Sequence, residues 1–254
     1  MPRNLYLAFG DSVTAGYGAT HPSLAFVRQV SDFTQQKGLS KRPIVIARNG
    51  WTAKDVWQAA MMVHPNIWEQ TNIATIMVGG NDLRKLLRRQ YLPIFGGQIS
   101  PQLIDDRIQA FQFHMDKLCA FIHQFKIPHV VVATIYNPVP NFPLAVDAFE
   151  QLNGAIREIA GRYCFALVDV HKTYQNNEAD FIEGYRSGRF EDLASPIRRP
   201  IHPNNAGHQQ IASLMTRQLS SPLSKKKNHL SSLHARSKRN LRSANLRKKR
   251  YSTI

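Results

Sequence analysis

The sequence lacks any apolar run approaching the roughly 18–20 residues with which a helix crosses a bilayer. That absence excludes a helical membrane span. Cysteine is scarce, with only Cys119 and Cys164 in the chain, in stretches that read as helix and strand. A disulfide would require the fold to bring them together, and both read as small core residues. No group of His, Cys and carboxylates stands at metal-ligand spacing, and there is no Gly-rich phosphate loop. No metal or cofactor is therefore expected. The N-terminus passes from Met1-Pro2-Arg3-Asn4 straight into Leu5–Phe9, too short for a signal-peptide core and without a small-residue cleavage site after it. A cytoplasmic location is the default expectation.

Acidic residues are missing from the last 34 positions, while 11 of the 33 Lys and Arg lie there. This leaves 22 basic against 17 acidic residues in positions 1–220, so the tail carries most of the net charge of +16. The remainder, with 43% hydrophobic residues overall, has the composition of a soluble globular protein. Length and composition together predict a domain over 1–219 and a basic, disordered tail over 220–254.

Within residues 1–219 two periodicities alternate. Short runs rich in β-branched or aromatic residues occur at Leu5–Phe9, Pro43–Ala47, Ile73–Val78, His129–Ile135 and Phe165–Val170. Each is bounded by Gly, Asn, Pro or Asp and reads as a strand buried on both faces. Helices are predicted over Leu24–Lys37, Thr52–Ala60, Pro101–Phe125, Ala145–Tyr163 and Asn205–Leu219. In the third of these, Leu103, Ile104, Ile108, Phe111, Met115, Leu118 and Ile122 recur at threes and fours, with Pro101 suited to the first turn. Five strand–helix alternations predict a parallel five-stranded sheet with helices on both faces. Ligands of such sheets bind beyond the carboxyl ends of the strands. The stretch Leu83–Ser100, with Arg84, Lys85, Arg88 and Arg89, breaks the pattern and reads as a solvated turn and loop, or as part of a lid or acyl pocket.

The residues following the strands are Gly10-Asp11-Ser12, Asn49-Gly50-Trp51-Thr52, Gly79-Gly80-Asn81-Asp82 and Tyr136-Asn137-Pro138. A serine at the turn after a buried strand has an exposed hydroxyl, and its own N–H can hold a developing oxyanion. The same tripeptide is also ordinary turn chemistry. Gly50 allows close backbone approach and Asn81 offers a neutral amide donor, although one can equally supply a positive φ and the other a helix cap. His202 lies in Pro200-Ile201-His202-Pro203-Asn204-Asn205, a stiff loop before the last helix. Its near-neutral reference pKa suits a general base. His208 should lie inside that helix and reads as structural.

Gly10-Asp11-Ser12, Gly50, Gly79-x-Asn81-Asp82 and His202-Pro-Asn-x-x-Gly-His together resemble the four blocks of the GDSL/SGNH hydrolases, in the family's order over residues 5–215. The resemblance implies a three-layer α/β/α, flavodoxin-like fold and a serine esterase or lipase. It implies Ser12 as nucleophile, His202 as base, and an oxyanion hole of Ser12, Gly50 and Asn81. Its substrate is expected to be a lipid or small-molecule ester. Asp11 and Arg199 are candidate modulators.

Two departures stand out. Val13 replaces the family's leucine after Gly-Asp-Ser. Arg199 stands three residues before His202, where the family commonly has an aspartate that orients and stabilises the imidazolium. A cation pointed at His202 would lower its pKa. A backbone carbonyl, or Asp192 or Glu191 folding back, are the candidate replacements. Residues 225–250 are a candidate contact for an anionic surface such as membrane, cell wall or nucleic acid. The rival reading is a weak or inactive binding protein of the same fold, attached by this tail.

Overall fold

The computed structural model describes residues 3–84, 100–193 and 199–220. The β-branched runs form five strands: β1 (Leu5–Gly10), β2 (Arg42–Ala47), β3 (Thr71–Met77), β4 (His129–Ala133) and β5 (Ala166–Val168). They make one parallel sheet in the order β2-β1-β3-β4-β5. The chain steps from β1 to one side for β2 and to the other for β3. The crevice of such a sheet opens where the order reverses, at the carboxyl end of β1. Ser12 follows β1, and the turns holding Gly50 and Asn81 follow the two strands that flank it.

Only part of the sheet is buried on both faces as the runs predict. β1 is buried at every position and β3 nearly so, whereas β2 alternates between exposed and half-buried residues. The physical reason is its place at the sheet edge, where Val45 remains 46% exposed. β5 ends two residues before the predicted Val170, because the Asp169 carboxylate accepts from Lys172 N at 3.0 Å and starts a helix.

The α-helices that lie wholly within the described residues are α1 (Phe26–Gln36), α2 (Ala53–Met61), α3 (Pro65–Gln70), α4 (Pro101–Gln124), α5 (Pro143–Arg162), α6 (Val170–Tyr174), α7 (Glu178–Phe181) and α8 (Asn205–Ser220). With the sheet they form a three-layer α/β/α arrangement. The apolar stripe of α4 buries Ile104, Ile108, Phe111, Met115, Leu118 and Ile122, while Leu103 stays partly exposed. Pro101 occupies the first turn, and Ser100 Oγ accepts from Leu103 N at 3.3 Å. The short helices α3, α6 and α7 have no counterpart in the periodicity, being too short to generate one. Trp68 of α3 nonetheless stacks on Phe9 at 5.5 Å and Phe125 at 4.5 Å, closing one end of the core.

Neither cysteine is in a disulfide. Cys119 is a core residue, but Cys164 is exposed in the turn before β5, with φ at +55°, which corrects its reading as core. Among the described residues no helix is long and apolar enough to cross a membrane. The predicted tail and the Lys85–Arg89 cluster lie outside the described residues.

Candidate active site

Ser12 sits in the turn that β1 enters through Gly10. Any Cβ at Gly10 would fall 2.0 Å from Thr14 Oγ1 and 2.4 Å from the Met77 carbonyl, so only glycine fits between β1 and β3. Asp11 stabilises the turn by accepting from Val13 N at 3.0 Å. The result is a buried serine whose Oγ lies 3.0 Å from His202 Nε2, across 190 residues of chain.

His202 is held by several independent bonds. Tyr136 Oη, beyond the end of β4, donates to the Ile201 carbonyl at 2.7 Å. Glu183 N donates to the His202 carbonyl at 2.9 Å, and Asn204 N to the Phe181 carbonyl at 2.8 Å. Asn204 Oδ1 caps α8 through Gly207 N at 2.9 Å, and Asn205 reaches across to Thr20. His208 is fully buried in α8, as its place in the sequence suggests. It accepts from Phe26 N at 3.3 Å through Nδ1 and donates Nε2–H to the Tyr17 carbonyl at 2.9 Å. It therefore fastens the start of α1 and the Tyr17 turn to the helix behind the His202 loop.

Burial, with smaller contributions from the charge of Arg84 and from repulsion by His208 when that ring is protonated, pushes the His202 imidazole down to about 4. The ring is then neutral near pH 7, Nε2 accepts from the serine hydroxyl, and the proton resides on Nδ1. Among the described residues Nδ1 has no hydrogen-bond partner. Asp192 does not serve it: one of its oxygens accepts from Ser187 N, Ser187 Oγ and Gly188 N at 2.8–3.0 Å. Glu191 is exposed and makes no bond to His202 either. Arg199 is half-buried, and its carbonyl accepts from Ile201 N at 2.8 Å. Among the described residues Arg84, not Arg199, is the side-chain cation that bears on His202.

Asn81 lies in the first turn of a helix beginning at residue 80. Its Nδ2 donates to the Trp51 carbonyl at 2.9 Å and, more weakly, to Asp11 Oδ2 at 3.4 Å. Its Oδ1 accepts from Arg84 Nε at 3.1 Å. Gly50 precedes Trp51 with φ at +81°, a conformation that favours glycine. Among the described residues neither the Ser12 nor the Gly50 N–H donates to a protein acceptor. Asp82 points elsewhere and caps α2 through Ala53 N at 3.1 Å. Burial raises the Asp11 carboxyl to about 7, against the opposing pull of the Val13 N–H and the Arg84 charge.

A cavity of about 60 Å³ opens beside Ser12, His202 and Asn81. Ile135, Val139, Phe149, Leu193 and Ile201 make much of its wall apolar, and Arg84 and Asp11 lie on its polar side. Gly50 is not among the described residues that line it. Sequence reasoning brought together Ser12, Asn81 and His202, set Tyr136 at the same sheet edge and read the Arg84 stretch as a loop or as part of a lid or acyl pocket, but it did not foresee the bonds that Tyr136 makes to Ile201 and Arg84 to Asn81. Arg84 stands three residues after Asn81, a spacing that on a helix makes the two side chains neighbours, and that spacing was the available signal.

Residues 8–210 match the GDSL-like Lipase/Acylhydrolase family, and the chain belongs to that family. It is thus a hydrolase of carboxylic esters. No curated protein sequence matches it significantly. Among solved structures it is similar to the lipase Lip_vut3 from a goat rumen metagenome, at 20% identity and a TM-score of 0.64, covering 85% of this chain and 95% of that one. The acetylxylan esterase Axe2 from Geobacillus stearothermophilus is similar at 17% identity and a TM-score of 0.60, covering 87% and 96%. LAE5, an alpha/beta hydrolase enzyme from the metagenome of Lake Arreo, Spain, is similar at 19% identity and a TM-score of 0.58, covering 87% and 98%. At these identities the likeness is one of fold.

Proposed function

We propose that the protein hydrolyses esters of short carboxylic acids through an acyl-enzyme on Ser12, with His202 as general base. The observation that carries this reading is the 3.0 Å contact between Ser12 Oγ and His202 Nε2 at the mouth of an apolar cavity. His202 takes the hydroxyl proton as Oγ attacks the ester carbonyl. The oxyanion is received by the N–H groups of Ser12 and Gly50 and by Asn81 Nδ2, which gives up its long bond to Asp11. The imidazolium then protonates the departing alcohol. Water, deprotonated by His202, releases the acid and restores the serine. No carboxylate need become protonated in this cycle.

The size of the cavity supports a short acyl group. A cavity of about 60 Å³, walled by Ile135, Val139 and Phe149, suits an acetyl or slightly longer chain better than a long one. Residues 1–219 act as the hydrolase domain, and the basic residues of 225–250 attach it to an anionic surface. The Nδ1 of His202, without a carboxylate, favours one second reading, a binding protein of this fold with little or no turnover.

Hydrolysis of p-nitrophenyl esters from two to twelve carbons, by wild type, Ser12→Ala and His202→Ala, tests both readings. The expected result is a preference for two to four carbons and a loss of at least about 10³-fold in either variant. Equal rates from wild type and Ser12→Ala would sink the catalytic assignment, and a preference for eight carbons or more would sink the short-acyl reading.

A further inference from the structure

Arg84 belongs to none of the four sequence blocks, yet it lies on the cavity and touches the site through a specific atom pair. Its Nε donates to Asn81 Oδ1 at 3.1 Å. A guanidinium carries donors only, so the amide oxygen must face it and the amide nitrogen must face away. The nitrogen is thereby turned to the Trp51 carbonyl and to the Asp11–Ser12 turn. The Trp51 carbonyl, an acceptor, favours the same orientation from the other end, and without the Arg84 bond it alone would select between two orientations of nearly equal shape. One of them presents an oxygen, which repels a developing oxyanion, where a donor is needed. The bond is also charge-assisted, and a cation on the amide oxygen draws electron density from the nitrogen, strengthening its N–H groups as donors.

We propose that Arg84 is the positioning residue of the oxyanion hole, setting the orientation of the Asn81 amide and strengthening its nitrogen as a donor. The inference rests on the reading of Asn81 as an oxyanion donor. The same cation has a second effect that geometry alone would not require: its positive charge helps keep His202 neutral. Among the described residues, Asp11 and Tyr136, which line the same cavity, and His208, behind the histidine loop, also bear on this region. Asp11 bonds the amide from its far side, whereas His208 is occupied by Phe26 and Tyr17.

Three substitutions separate orientation from charge. Arg84→Met removes both, Arg84→Gln retains a neutral donor for Oδ1, and Arg84→Lys retains the charge without the planar fork. With p-nitrophenyl acetate, Arg84→Met should lose about 10- to 100-fold in kcat with KM within about twofold, less than the full loss of an oxyanion donor. Arg84→Gln should recover part of that kcat. The titration midpoint of His202 should rise in the Met and Gln variants and stay put in the Lys variant.

Nitrogen NMR of the Asn81 side-chain amide and the His202 ring, in wild type and in a Ser12→Ala background, reads the same effects without turnover. The Asn81 amide resonance should shift in Arg84→Met and return toward wild type in Arg84→Gln. A Met variant with kcat within twofold of wild type, or an unshifted Asn81 amide, overturns the proposal. If wild type proves no faster than Ser12→Ala, the catalytic reading fails by itself, and the NMR comparison still decides whether Arg84 orients the amide.

Discussion

The acid limb of the pH–rate profile is the most direct test of how His202 is buried. An unperturbed histidine titrates near 6.5, and an esterase using one as base loses activity below neutrality. Here burial, then Arg84 and His208, hold the imidazole down at about 4. That difference corresponds to about 3 kcal/mol disfavouring the imidazolium. The plateau of kcat/KM should therefore extend down to about pH 5, with half of the activity lost only near pH 4. The same effect carries a cost, because the imidazolium must form during acyl transfer. With the proton about half transferred in the transition state, the weaker base gives up on the order of tenfold in rate.

Stability follows by linkage. The unfolded chain takes up this proton near pH 6.5 and the native protein only near 4, so acid favours the unfolded chain in between. His202 thus withdraws up to about 3 kcal/mol as the pH falls through that window. Initial rates with p-nitrophenyl acetate below KM, read at an isosbestic wavelength from pH 3.5 to 8.5 alongside circular dichroism, measure the limb. A midpoint between pH 6 and 7 with the fold intact would refute the reasoning, since it would mean that the ring is solvated or that an anion serves Nδ1.

Three further outcomes are expected. Asp11, raised to about 7, should ionise at neutral pH and place a negative charge against the Asn81 amide. Activity should then decline above pH 7 in wild type and not in Asp11→Asn. Because the unfolded carboxyl ionises near 3.8, that variant should also be more stable at pH 8 by on the order of a few kcal/mol, measured by denaturant unfolding. Arg199→Asp restores a carboxylate three residues before His202 and should raise kcat at least about tenfold while moving the acid limb upward; unchanged rates would mean that Nδ1 is already served. Deleting residues 221–254 should leave kcat and KM unchanged and abolish co-sedimentation with anionic vesicles at low salt, and loss of turnover would contradict a division of labour between domain and tail.

Much of the site was legible in the sequence because the sheet topology does the assembling. A parallel sheet delivers every strand's carboxyl end to one edge, so the polar residues after Phe9, Ala47 and Met77 had to converge. The strands themselves announced their β-branched runs, and α4 its stripe, since those periods are set by backbone geometry. Short helices and edge exposure left no such trace. α3, α6 and α7 are too short to show a period, and nothing local in Arg42–Ala47 marks it as an edge strand.

By itself the sequence determined which side chains are candidates for acyl transfer and in what order along the chain they occur. Only the tertiary structure decided their partners. It brought His202 to 3.0 Å from Ser12 by tying its loop to Tyr136 and Glu183, and it committed Asp192 to the Ser187–Gly188 turn. Among the described residues it also made Arg84, rather than Arg199, a cation that bears on His202. The physical reason is common to all of these. Hydrogen bonds and charges act through a few ångströms of space, and the separations that matter are closed by packing, not by spacing along the chain.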